Sequence, residues 1–172
     1  HLLEQRCAVS FPFSGLLVGL SSIHWREAWK YGERAFRYCQ HDIGHGLAAL
    51  RYAAGVLGWQ VHLLDHWSDA DVGALLGLDR SADFTAAEPE VPDLVCAVGP
   101  DPDQTIAPEL LLAALAAGQW HGQANVLSPH HRQDWPVIDE VHRATVKPRT
   151  AASGVTQPSL PPPCVGAGSQ SA

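Results

Sequence analysis

The segment from residue 33 to residue 57 carries apolar side chains three and four positions apart, the spacing of one face of a helix. The opposite side of this predicted helix is made mostly of small residues. A helix that is apolar nearly all round must be buried or form an interface, so a central or dimer-forming helix is predicted. The predicted core positions are 36, 39, 43, 47, 50, 54 and 57, and the small residues are Gly44, Gly46, Ala48, Ala49, Ala53 and Gly55.

Shorter elements surround this helix. Gly32 separates it from a helical segment at 24 to 31, because glycine is unfavourable inside helices. Strands are predicted near 16 to 20, 60 to 64 and 93 to 98, the last as a continuous apolar run of the kind covered on both faces. Further helices are predicted at 68 to 79, 108 to 117 and 136 to 145, with a loop at 81 to 92. Helices alternating with a few strands predict an α+β fold in which the long helix packs on a small sheet.

Local signals mark the helix ends. Ser68 and Asp71 form a capping pair at the start of one helix, and Gly77 is suited to its left-handed stop. Pro136 stands at the first position of the last helix, where a missing N–H group has no cost.

Length and composition indicate one domain, since 172 residues with 46% hydrophobic content suffice for one core. The domain is predicted over 1 to 146. From 147 to 172 the chain is rich in Pro, Ser and Gly, and a disordered linker or tail is expected there. Because the chain begins at His1 and has no methionine, we expect the natural N-terminus to be missing.

Charge and cysteine content narrow the functional classes. A formal charge of −7 disfavours nucleic-acid binding, which depends on a basic surface. The four cysteines show no paired spacing, and Cys39 and Cys96 fall in apolar elements, so buried free thiols in a reducing cytoplasm are expected. Neither a signal peptide nor a membrane span is predicted.

One segment bears a family resemblance. Trp29-Lys30-Tyr31-Gly32-Glu33-Arg34-Ala35-Phe36-Arg37-Tyr38, followed by Gly44-His45, resembles the FMN-dependent nitroreductase-like superfamily, and most of all its azoline dehydrogenases, which oxidise thiazoline and oxazoline rings in modified peptides. The resemblance covers about residues 14 to 100 and weakens after residue 58. It implies FMN as the cofactor, a small-molecule or modified-peptide substrate, and a site shared between two subunits or with a second nitroreductase-like half.

The same resemblance indicates candidate site residues. Lys30 and Tyr31 match the family's functional pair and are the catalytic candidates, as a base and a proton relay. An amine whose pKa falls on burial can act as such a base. The cofactor-binding candidates are Arg26, Arg34, Tyr38 and His45, with Arg37 as a further cation. Each also has a plain structural reading, as a solvated lysine, a core aromatic, or an arginine paired with Glu27 or Glu33.

Three alternatives stay open at the level of sequence. His41, His45, His62, His66 and Cys39 could form a zinc set, although no Cys-x-x-Cys anchors it. The doublet His41-Asp42 resembles that of the HD-type metal-dependent phosphohydrolases, which would need His24 upstream, Asp65 or Asp69 downstream, and an all-helical fold. The third alternative is a degenerate, non-catalytic half-domain, because the phosphate-binding segments that the family places at both ends of its domain are not visible in the sequence.

Overall fold

The computed structural model describes residues 14–102, 105–130 and 133–152, together with the backbone of residues 4–6. Five strands are present in this part of the chain: β1 (Glu4–Arg6), β2 (Leu16–Ser22), β3 (Gln60–Leu63), β4 (Val91–Gly99) and β5 (Gln119–His121). The α-helices are α1 (His24–Tyr31), α2 (Ala35–Val56), α3 (Asp69–Leu76), α4 (Pro108–Ala116) and α5 (Pro136–Thr145). Short 3-10 turns lie at Gly32–Arg34 and Ser81–Phe84, the second inside the predicted loop.

The main sheet has three antiparallel strands in the order β2, β4, β3. The central strand β4 alternates between two cores, because successive side chains of a strand point to opposite faces. Val95 and Ala97 join the core built with α3 and α4, whereas Cys96 and Val98 join the core built with α2. The expected strand at 93 to 98 is therefore confirmed, and so is the α+β fold class. The sequence did not predict β1 and β5, which pair with each other.

The long helix α2 buries one face on this sheet. Leu47, Leu50 and Ala54 pack against the core of β3 and β4, as the apolar spacing predicted. Leu57 is an exception: it lies just beyond the helix and is 67% exposed. Gly46 also differs from its expected place, since a Cβ atom there would lie 3.3 Å from Cδ1 of Leu20. Gly46 therefore faces the sheet, and only the remaining small residues form the outer face.

The outer face of α2 is exposed to solvent. Gly44, Ala48, Ala49 and Ala53 are all exposed, and a Cβ atom at Gly44 would meet nothing within 4 Å. Beside them stand large side chains, Tyr52 at 67% and Val56 at 80% exposure. Nothing among the described residues covers this face, so the predicted interface stays a prediction.

Gly32 ends α1 and redirects the chain into α2. Its φ of 58° lies in the left-handed region, which glycine adopts without a steric cost. The turn is held from the side by α5: Ile138 is buried against Ala28 and Ala35, and a Cβ at Gly32 would lie 3.2 Å from Cζ2 of Trp135. The helix α5 therefore clamps the corner between α1 and α2.

The caps of α3 form as the sequence predicted. The Ser68 hydroxyl accepts the N–H of Asp71 at 3.1 Å, and the Asp71 carboxylate accepts the N–H of Ser68 at 3.0 Å. Gly77 ends the helix in the left-handed region with a φ of 72°. Both signals are local, which is why the sequence alone located them.

The chain remains bonded to the domain beyond the predicted boundary at residue 147. The backbone of Lys147 pairs with Asp69, and the N–H of Thr150 donates to the carbonyl of His66 at 3.0 Å. Arg149 binds both carboxylate oxygens of Asp71 and also reaches Glu109. We call residues 147–150 the strap; they belong to the domain. The expected tail from 153 to 172 lies outside the described residues.

Within the described ranges, no helix is both long enough and apolar enough to cross a bilayer.

Candidate site at the corner of α1 and α2

Three of the predicted site residues meet at the corner between α1 and α2. The left-handed Gly32 and the 3-10 turn bring the end of α1 next to the first turn of α2. The rings of Tyr31 and Tyr38 stack there with centroids 4.2 Å apart and planes inclined by 22°. The ammonium group of Lys30 lies 4.9 Å from the centroid of the Tyr31 ring, which is within cation–π range. Lys30, Tyr31 and Tyr38 therefore form one continuous group, which we call the corner cluster.

The electrostatics of Lys30 differ from the sequence-based expectation. The side chain is exposed, and a hydrogen bond with the Tyr31 side chain, aided by the charges of Tyr31 and Glu27, raises the pKa of the amine. The expected base required the opposite shift, because burial is what lowers the pKa of a lysine. In this structure Lys30 is a stable cation beside the Tyr31 phenol, suited to holding negative charge there.

The other cofactor-binding candidates do not join the corner cluster. Arg26, Arg34 and His45 are exposed, and Arg37 is exposed beside them. The Nδ1 atom of His45 lies 3.9 Å from an Asp42 carboxylate oxygen, with 83% of the histidine side chain exposed. Within the described ranges, no hydrogen bond or ring contact links Arg26, Arg34 or His45 to the stacked tyrosines. The arginines add positive charge to the corner, but they do not form a closed pocket.

The corner cluster can be compared with what an FMN site requires. A flavin needs a flat surface for its ring system, and its phosphate needs cationic donors. The stacked tyrosines offer an aromatic surface, and the exposed arginines offer donors. Both lie at the surface of the described chain, so they do not enclose a cofactor by themselves.

The zinc hypothesis fails on geometry. His66 is buried, with Nε2 placed 2.9 Å from the carbonyl oxygen of Ile106, and His62 lies on β3. His41 is exposed on α2. Burial raises the pKa of the Cys39 thiol to about 11, which disfavours the thiolate that a metal requires. Across residues 14–102, 105–130 and 133–152, no group of three or more His, Cys, Asp or Glu is arranged to hold a metal ion.

The phosphohydrolase hypothesis fails as well. The strand β4 has no place in an all-helical fold. His24, its required upstream ligand, is buried between the rings of Phe36 and His142 at centroid distances of 5.3 and 5.5 Å. Asp69, a downstream candidate, accepts the backbone N–H of Lys147 at 2.9 Å. The His41-Asp42 doublet stands on the exposed face of α2 instead.

A polar cluster behind the corner was not predicted. The Ser22 hydroxyl donates to Oδ2 of Asp93 at 2.6 Å, and the amide of Gln40 donates to Oδ1 at 3.3 Å. Burial raises the pKa of the Asp93 carboxyl, although these hydrogen bonds oppose the shift. Ser21 binds Glu90 alongside. These bonds connect the first part of α2 to β2 and β4. In the sequence, they could have been indicated by the two serines that end the apolar run of β2.

Comparison of the chain with protein families, with curated proteins and with solved structures found no match in any of the three.

Proposed function

We propose that this domain is one half of an FMN-dependent oxidoreductase of the nitroreductase-like type, with the corner cluster as the cofactor surface. The proposal rests chiefly on one observation: the residues that carry the family resemblance converge. Lys30, Tyr31 and Tyr38, which lie on two different helices, come together at an exposed corner with arginines nearby. Such a surface suits a planar anionic cofactor that a second half covers.

The proposed substrate is an azoline-like C–N bond in a peptide-derived molecule. Oxidising such a ring removes a hydride and a proton, and bound FMN supplies the hydride acceptor. A protein group must then take the proton. Tyr31 is proposed to relay this proton: its phenol oxygen accepts the substrate proton as its own O–H proton passes to water, and the ammonium of Lys30, 4.9 Å from the ring centroid, holds the ring in place. This assignment replaces the expected lysine base.

The second half is proposed to meet the outer face of α2. Small residues allow close approach of a second helix, and Tyr52 and Val56 would be buried by it. The partner is either a second copy of the chain or a nitroreductase-like half of the same protein. A two-fold pairing would place the two corner clusters in equivalent positions.

The visible spectrum of the purified full-length protein tests the proposal. Flavin absorption in stoichiometric amount, retained through gel filtration and released as FMN on denaturation, would support it. Stoichiometric iron or manganese without flavin would overturn it. The metal content is measured on the same sample, so that the two outcomes are read together.

Substituting Lys30 tests the roles within the corner cluster. Lys30→Ala in the full-length protein should leave the flavin content largely unchanged, because the stacked tyrosines remain, and should reduce turnover by about 10²- to 10⁴-fold, because Tyr31 loses the ammonium that positions it for proton transfer. Arg143→Ala is the matched control, since Arg143 is an exposed cation on α5. Normal turnover of Lys30→Ala with unchanged flavin would show that the role proposed for Lys30 is wrong.

One observation favours a second candidate, a non-catalytic half-domain that supports its partner half. Lys30 is exposed, and the pKa of its amine is raised, so nothing within the described residues activates it as a base. On this reading the full-length protein binds no flavin and no metal through this half. Loss of the partner's stability or activity on Ala49→Leu, with no effect of Lys30→Ala or Tyr31→Phe, would identify it.

A further inference from the structure

The histidine at the start of α1 is buried where three helices meet. His24 is 7% exposed, and its ring is tilted against Phe36 of α2 with centroids 5.3 Å apart. The ring of His142 on α5 meets it edge-on, with centroids 5.5 Å apart and planes at 68°. The Nε2 atom of His24 is buried, and no atom of the described residues is within hydrogen-bonding reach of it.

This contact is one of three that hold α5 on the corner. Ile138 packs with Ala28 and Ala35, and Trp135 packs beside Gly32. The third contact, between His142 and His24, lies about one turn further along α5 than Ile138. The clamp therefore reaches from the turn that aligns the stacked tyrosines to the first residue of α1.

We propose that the contact between His24 and His142 is a pH-sensitive latch that weakens the docking of α5 on the corner in mildly acidic solution. The device is independent of the proposed function, because it concerns only the docking of α5. When α5 is released, Trp135 and Ile138 no longer pack against the turn at Gly32, which lies beside the corner cluster.

The charges around His24 decide the direction of the effect. Burial, followed by the proximity of His142, lowers the pKa of His24 below its ordinary value of 6.5. Asp139, one turn before His142 on α5, acts in the opposite direction and is the weaker influence. The α2 neighbour is the uncharged ring of Phe36, and the half-buried Asp93 of β4 interacts electrostatically with His142. Neither of these carboxylates is hydrogen-bonded to His24 among the described residues.

The sign follows from proton linkage. The pKa of His24 has its ordinary value of 6.5 when α5 is released, and it is lower when α5 is docked. The docked state is therefore fully favoured above pH 6.5 and loses stability as the pH falls below that value.

Hydrogen exchange of the whole chain tests the latch. Amide protection is compared at pH 7.5 and pH 5.5, after correction for intrinsic exchange rates. If the docked ring excludes the proton, protection of α5 should fall by up to about 10-fold at pH 5.5, while β4 keeps its protection. An equal loss in β4, or no loss in α5, would overturn the proposal.

Two variants separate the latch from general acid sensitivity. His24→Phe keeps an aromatic ring against Phe36 but cannot titrate, and it should make α5 protection independent of pH over this interval. His142→Gln removes the facing imidazole and should reduce the change without abolishing it, which serves if the first variant folds poorly. His41→Phe is the matched control, since His41 is exposed on α2, and it should keep the wild-type response. A wild-type response in both latch variants would overturn the proposal.

Discussion

At the scale of single residues, Asp71 takes part in several interactions at once. It caps α3 through Ser68 and binds Arg149 of the strap through both oxygens. These interactions, led by the Arg149 hydrogen bond, lower the pKa of Asp71 from 3.8 to about 2. One side chain thus joins the start of a helix to a segment 78 positions away in the sequence.

Replacing Asp71 tests this junction. Asp71→Asn should lower the free energy of unfolding by about 1–3 kcal/mol at pH 7, because it removes a cap and a charge-assisted pair. The stability due to the carboxylate is present above pH 3.8 and is lost as the pH falls towards about 2. Urea unfolding of both proteins at pH 7 and pH 2.5 should show the gap closing at the lower pH. Asp42→Asn, with a side chain that is 69% exposed in the wild type, should change neither value by more than about 0.5 kcal/mol.

At the scale of elements, α2 has one face that packs on the sheet and one that is exposed to solvent. The inner face packs Leu47, Leu50 and Ala54 on the sheet, and Gly46 lets the helix approach β2 closely. The outer face is lined by small residues and by exposed Tyr52 and Val56. The sequence pattern assigned Gly46 to the outer face, and its contact with Leu20 moves it to the inner one.

Two leucine substitutions separate these faces. Gly46→Leu should destabilise the domain by about 1–3 kcal/mol, since its side chain would enter the contact with Leu20. Ala49→Leu lies on the outer face and should leave the unfolding free energy within about 0.5 kcal/mol of the wild type. If the outer face is an interface, Ala49→Leu should still shift the protein to smaller species in sedimentation experiments. Equal destabilisation by both substitutions would contradict the assignment of the faces.

At the scale of the whole molecule, the strap binds residues of the domain that lie far from it in the sequence. Lys147 also donates from its side chain to the carbonyl oxygen of Trp67 at 2.8 Å, beside one of the most deeply buried side chains. Trp67 and His66 both bind the carbonyl oxygen of Ile106. The strap thus covers the polar edge of the core between α3 and α4.

Truncation tests how far the domain extends. A chain that ends at residue 146 should unfold at a lower urea concentration than the full chain, because Asp71 loses the guanidinium of Arg149 and the hydrogen bonds of Lys147 and Thr150 to the domain are lost. A chain that ends at residue 152 keeps the strap, and its urea midpoint should match that of the full chain. If the two truncated chains were equally stable, the strap would contribute nothing to the fold.

The sequence by itself determined the features that depend on neighbouring residues. The apolar spacing of α2, the capping pair Ser68 and Asp71, the left-handed Gly77 and the continuous apolar run of β4 all act locally, and each appears where the pattern predicted it. The tertiary structure decided what depends on contacts between distant segments: the stacking of Tyr31 on Tyr38, the exposure of Lys30, the place of Gly46 and the attachment of the strap. Periodicity states which residues share a face of an element, but burial and pKa shifts depend on what packs against that face, and only the folded chain supplies that partner.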